Sequence, residues 1–129
     1  IAREGTDATI ITWGSTVSRA LTAAARLEKE GASVEVVDLR TIVPLDEAAV
    51  LASARKTGRV LVAHEAILTL GFGAEIAARV ADGAFAHLDA PVKRIAALDT
   101  FCPFAPSLEN AVLPSADDVT EALRDLLAY

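Results

Sequence analysis

An α/β domain with a largely parallel sheet and helices on both faces is the fold class this sequence predicts. Three observations predict it. Short β-branched runs alternate with amphipathic helical runs along the whole chain, the pattern of strand–helix–strand crossovers. One run, "RVLVAH" (Arg59–His64), is continuous in hydrophobicity, as an interior strand covered on both faces must be. Of the 129 residues, 53% are hydrophobic but only 5% aromatic, so the core consists mostly of Ala, Val, Leu and Ile. A chain of this length suits one compact domain, residues 1–129, that buries roughly two-thirds of its unfolded surface.

The elements follow in order. "ATIITW" (Ala8–Trp13) is a strand by its β-branched and aromatic content, ended by Gly14 and Ser15. A helix runs from about Thr16 to Glu30, with Val17, Ala20, Leu21, Ala24 and Leu27 on one face, and Gly31 is its natural stop. "VEVVDL" (Val34–Leu39) is the second strand. After the proline-bearing loop "RTIVP", Asp46 caps a helix over Glu47–Thr57 that stops at Gly58. Arg59–His64 is the third strand, and the Gly71-Phe72-Gly73 turn opens a helix over about Ala74–Ala81. "VKRIAAL" (Val92–Leu98) is the fourth strand. The stretch Asp99–Pro114 carries three prolines and two phenylalanines and is read as irregular. The last helix follows Ser115, which forms a capping box with Asp118 in the usual Glu position; Val119, Ala122, Leu123, Leu126 and Leu127 make its apolar face. There is no internal repeat, low-complexity segment or inter-domain linker.

Charge and composition exclude several classes of function. A net charge of −6 and a pI of about 4.8 argue against nucleic-acid binding, which needs clustered Lys and Arg. An acidic surface serves solubility first and a basic protein partner second. No apolar run reaches the roughly 20 residues that span a bilayer. The single cysteine, Cys102, rules out an internal disulfide framework and fits a reducing, cytoplasmic setting. The chain opens at Ile1 and contains no methionine, as expected of a piece of a longer polypeptide.

The residues that could carry chemistry are few. Gly71-Phe72-Gly73 at a helix start could cradle phosphate or could answer a steric need of the crossover. It lacks the third glycine of a dinucleotide fingerprint, Ile76 standing there, and the ending of a P-loop, which favours the steric reading. His64 and Glu65 sit at the C-terminal end of a strand, where α/β sheets gather ligands. Adjacent strand residues point to opposite faces, so the two are not expected to act as one acid–base pair. A strand end tied by a hydrogen bond to the next helix is the simpler reading. Ser15 in "WGSTV" lacks the second glycine of a nucleophile elbow. Cys102 in "TFCPF" reads as a small buried hydrophobe. His87 has no partner at ligand spacing, so no metal site is visible. Arg40 in "DLRTIVP" could hold a carboxylate, but an ion pair with Asp38 or Asp46 is the plainer role. Bottom-up, the residues describe an α/β domain without a self-contained active site, which suggests a piece that works by packing against something else.

Six segments in order, "EGTDATIITWGSTV", "VEVVDLRTIVPLD", "KTGRVLVAHEA", "GFGAEIAARV", "APVKRIAALDTFCPF" and the final "LP…ALRDLLAY", give the chain a wider identity. Together they resemble the C-terminal domain of the β subunit of the thiamine-diphosphate-dependent 2-oxoacid decarboxylase component of pyruvate and branched-chain 2-oxoacid dehydrogenase complexes. This domain is of the transketolase C-terminal class. The resemblance implies a three-layer α/β/α sandwich on a mixed, mostly parallel five-stranded sheet. Four strands are evident here, and the truncated start, Ile1–Arg3, is the expected fifth. It also implies thiamine diphosphate and magnesium in the parent enzyme but no cofactor, metal or catalytic residue in this domain, so that neither His64 nor His87 inherits the family's acid–base role. The isolated domain is expected to be inactive. Implied partners are the α subunit and second β subunit of a heterotetramer and the lipoyl acyltransferase component, docked at the C-terminal residue, Tyr129. Leu70 departs from the family, where "TGGFG" is common. "HEAILTLGFGAEI" leans toward branched-chain or acetoin-type members. The matching domain of a transketolase or deoxyxylulose-phosphate synthase is the related alternative, and a non-enzymatic interaction module the more distant one.

Overall fold

A computed structural model describes all residues, 1–129. Its elements are β1 (Ala8–Thr12), α1 (Thr16–Glu28), β2 (Val34–Asp38), α2 (Glu47–Thr57), β3 (Val60–Ile67), α3 (Phe72–Gly83), a 3-10 turn (Phe85–His87), β4 (Lys93–Ala97), α4 (Pro106–Val112) and α5 (Ala116–Leu127). The strands form one parallel sheet in the order β2-β1-β3-β4, each joined to the next through a helical crossover. The expected fifth strand is reduced to a single antiparallel bridge between Arg3 and Val36, held by bonds of 2.8 Å (Ala2 N to Val36 O) and 2.9 Å (Val36 N to Arg3 O). Ile1–Arg3 is too short to make a ladder, so the sheet has four strands rather than five.

Strand alternation divides the core in two. Ala8, Ile10, Val34, Val36, Leu61 and Ala63 face α1 and α5, while Ile11, Val37, Val60 and Val62 face α2 and α3. All five residues of β1 and the first five of β3 are buried, the burial of interior strands. The three-layer sandwich follows from these two apolar clusters.

Local signals act as their chemistry dictates. The Asp46 carboxylate accepts from Ala49 N at 3.0 Å, and Gly58 ends α2 with a left-handed φ of 67°. Ser115 and Asp118 form the reciprocal capping box of α5. Three elements differ from the sequence reading. β3 runs to Ile67, because β4 continues to pair with it past a register shift between Ala63 and Ile67. α3 begins at Phe72, inside the glycine turn. The stretch read as irregular holds α4, opened by Pro106 at a first-turn position where a missing N–H costs nothing. Its seven residues contribute no buried side chain, so no apolar periodicity announces it.

Candidate functional site

The glycine turn and the histidine before it form one packed unit. His64 is fully buried on the face of β3 that also carries Val60 and Val62. Its ring stacks on Trp13 with centroids 5.0 Å apart and planes 13° from parallel, and Phe72 meets Trp13 edge-on at 6.0 Å. A β-carbon on Gly73 would overlap Nε2 of His64 far inside van der Waals contact, and one on Gly71 would lie 2.9 Å from Cε1. Gly73 is therefore required by the imidazole, while a β-carbon on Gly71 would first meet the Ile67 carbonyl oxygen.

Neither ring nitrogen of His64 has a hydrogen-bond partner, so the expected bond from the strand end to the next helix is not made. Burial pushes its pKa below the usual histidine value; the nearby Ala66 backbone opposes this and positive Arg94 adds to it. Glu65 lies on the opposite face, as strand alternation requires, and pairs with Arg19 at 2.9 Å. Arg19 also donates to Pro114 O at 3.1 Å, which ties the approach to α5 to α1. The structure does not bring His64 and Glu65 together.

Beyond His64 the chain turns outward. Thr69 N donates to Asp99 Oδ1 at 2.9 Å, the Thr69 hydroxyl donates to the other oxygen, and Arg94 donates to Leu68 O at 2.9 Å. These hydrogen bonds from Thr69 hold the Asp99 carboxyl below its usual pKa. The loop so pinned presents Leu70 94% exposed at a left-handed φ of 60°, a conformation that glycine adopts without strain and leucine does not. Phe101, 97% exposed, lines the same surface as Leu70 and Ile67, and Phe104, Leu98 and Leu108 are further exposed apolar side chains of the segment that follows β4. Cys102 is also exposed, which corrects its reading as a buried hydrophobe. Its segment leaves the end of the sheet and packs on neither apolar cluster, so its residue types say nothing of burial.

The other candidates are scattered. Arg40 is exposed at a φ of 55° and pairs with Asp38 (3.5 Å), while Asp46 is spent on the α2 cap. Ser15 precedes α1 and makes no side-chain cap bond. His87 lies in the exposed 3-10 turn. No group of three or more His, Cys, Asp or Glu side chains is placed to hold a metal ion. No helix is long and apolar enough to cross a membrane. Tyr129 is 67% exposed beside a groove lined by Ala77, Ala81, Phe85, Leu88 and Pro91.

One buried site was missed by the sequence reading. Glu35, in the middle of β2, is fully buried; it accepts from the Ser53 hydroxyl at 2.5 Å and pairs with Lys56, which also reaches Glu4 at 3.0 Å. Thr9 and Thr57 hydroxyls, 2.9 Å apart, complete a polar layer under α2. The available signal was a glutamate inside the otherwise apolar run "VEVV".

The class is an α/β domain with a parallel four-stranded sheet covered by helices on both faces. The chain belongs to the transketolase C-terminal domain family, whose profile matches residues 1–119. It is 50% identical over 130 residues to the pyruvate dehydrogenase E1 component subunit beta of Leifsonia xyli subsp. xyli, and 47% identical over 129 residues to the subunit of the same name from Bacillus subtilis. Each match covers 100% of this chain but only 38% and 39% of those proteins, so the chain spans about two-fifths of their length. Among solved structures it superposes on a split-gene transketolase, an inactive β4 tetramer, with TM-score 0.78 and 32% identity, covering 98% of this chain and 40% of that one. A transketolase from Pichia stipitis, 19% identical with TM-score 0.65, shares the fold over 98% of this chain and 17% of its own.

Proposed function

We propose that this chain is the C-terminal assembly domain of the β subunit of a 2-oxoacid dehydrogenase decarboxylase component, contributing subunit packing and partner docking rather than catalytic groups. The observation that carries this reading is identity near one-half to pyruvate dehydrogenase E1 β subunits along the entire chain. The apolar ridge that begins with Ile67, Leu70 and Phe101, to which the exposed Phe104 and Leu108 are assigned, supports it, since large exposed apolar surfaces mark interaction sites. The α subunit and a second β subunit are the partners assigned to the ridge. Thiamine diphosphate with magnesium belongs to the parent enzyme, where it supplies the electron sink for decarboxylation. In this reading the chain itself holds no part of the cofactor and is inactive when isolated.

Tyr129 is assigned to docking of the lipoyl acyltransferase component. Tyr129, just past the end of α5, is exposed beside the Phe85 groove, which offers apolar contact to a partner. A transketolase parent is the second reading, favoured by the 0.78 superposition but at the lower identity of 32%.

The test is assembly. In the parent enzyme the double change Phe101→Ser, Phe104→Ser is expected to shift sedimentation from the assembled species to free subunits, with this domain's circular dichroism unchanged. Intact assembly in that variant would overturn the role of the ridge. Calorimetry of the 129-residue chain with magnesium and thiamine diphosphate is expected to show no binding; micromolar affinity would sink the reading.

A further inference from the structure

His64 is the one fully buried ionisable side chain left without a partner. Neither ring nitrogen makes a hydrogen bond of good geometry; the Ala66 backbone alone favours the protonated ring, and burial outweighs it. The ring lies between the Trp13 indole and the first turn of α3, against Gly71 and Gly73. The ionisable groups on the surrounding elements offer no relief. From β4 the nearest charge is Arg94, of like sign. On β3 itself, Glu65 points to the other face and is held by Arg19. On α3, Glu75 is held by Arg79. In the loop after β4, Asp99 is held by both Thr69 bonds. The end of β1 brings only Trp13, and the N-terminus of α3 carries the positive end of its dipole toward the ring.

We propose that His64 is an acid-sensitive latch, whose protonation releases the first turn of α3 and the Leu68–Gly71 loop from the end of the sheet. The stacked ring cannot swing without vacating the space that Gly71 and Gly73 leave for it, so solvating the charge moves the turn itself. Because this loop carries Leu70 into the apolar ridge, release also alters the docking surface; that second step rests on the reading of the ridge given above.

Hydrogen exchange on the 129-residue chain tests the latch at Leu68 and Ala74, whose amides bond Ala97 O at 3.0 Å and Gly71 O at 2.9 Å. Between about pH 7.5 and pH 5.5, after correction for intrinsic exchange, protection at both is expected to fall by up to about tenfold. The same fall is expected in His87→Gln, which removes the only other histidine, and none in His64→Phe. Equal loss in all three, or level protection in the parent sequence, overturns the proposal. If His64→Phe does not fold, the ring resonance of His64 in His87→Gln decides. A midpoint below the ordinary histidine value, coincident with loss of Ala74 protection, supports the latch; an ordinary midpoint or no coincident loss overturns it. Sedimentation over the same range reads the second step. Association that changes with exchange supports the link to the ridge, whereas level association alongside lost protection keeps the latch and counts against the docking reading.

Discussion

Glu35 under α2 and His64 under α3 are buried to the same degree on the same face of one sheet, yet only one of them is satisfied. Glu35 gains Ser53 and Lys56, and a hydroxyl pair closes the layer beside it. His64 gains an aromatic stack and no hydrogen bond. Each site is also fitted by a glycine, Gly5 against the backbone of Val34 and Glu35, Gly73 against the imidazole. The difference teaches that burial alone does not say whether a polar group anchors a fold. A satisfied network is static, and an orphaned ring is responsive to conditions.

The largest expected effect separates the two glycines. In Gly5→Ala the new methyl meets main chain of β2, which cannot yield without breaking its pairing with β1. More than about 3 kcal/mol of destabilisation is expected, or failure to fold. In Gly73→Ala the obstacle is a side chain, and about 1–3 kcal/mol is expected. Urea melts of both variants check the order; a larger cost at Gly73 would break the comparison.

Next come the polar residues themselves. Glu35→Ala strands Lys56 and Ser53 and opens a cavity, at about 3 kcal/mol, discounted because Lys56 is partly exposed. His64→Phe removes two unmet polar atoms and keeps an aromatic ring on Trp13, so its effect is expected within about 1 kcal/mol of either sign. Equal losses measured in chemical melts would mean that the Glu35 network contributes no more than the stack.

pH sharpens the contrast, because the two sites fail at opposite ends. The folded His64 holds fewer protons than the unfolded chain once pH drops below the ordinary value of about 6.5, so stability falls with acidity at up to about 1.4 kcal/mol per unit until the folded value is passed. Glu35 holds the Lys56 ammonium above its ordinary value, with Glu4 adding to this and burial opposing it. That contribution is complete below the unfolded lysine value and disappears as pH rises through the folded one. Asp99, Asp118, Glu4 and Glu30 all have lowered values, so their contributions are present above the carboxylate range and are lost only below it. A stability profile flat from about pH 6.5 to pH 5 would remove the His64 effect.

The sequence announces the sheet well and these two sites poorly. Strand and helix periods, the Asp46 cap, the Gly58 stop and the Ser115–Asp118 box are local signals, and each lies where it was read. Glu35 was not legible because its partners lie 18 and 21 residues away on another element, and only the fold joins them. For His64 the strand position was legible and the opposite facing of Glu65 followed from alternation. The sequence favours the steric reading of Gly71 and Gly73, but the group that imposes it, the imidazole against Gly73, was not legible, since it lies nine residues away on another element. Cys102 and α4 escaped for a third reason: they face away from the core, so no burial pattern marks them.

The smallest effect on stability is expected at Leu70, and it separates folding from docking. Leucine at a φ of 60° carries strain of about 1–2 kcal/mol that glycine does not. Glycine in turn loses more chain entropy on folding, about 0.5–1 kcal/mol. The side chain is 94% exposed, so almost no burial is forfeited. The terms nearly cancel, and Leu70→Gly is expected to change stability by no more than about 1 kcal/mol, with any change favourable. A strained, exposed, apolar residue has no reason of stability to be there, which is why the proposed docking surface includes it. Association through the ridge is therefore expected to weaken in Leu70→Gly while the urea midpoint holds or rises. Sedimentation and denaturation of the same preparation check this together. Unchanged association would detach Leu70 from the docking surface, and a marked loss of stability would mean that the loop depends on a contact of this side chain that its exposure does not reveal.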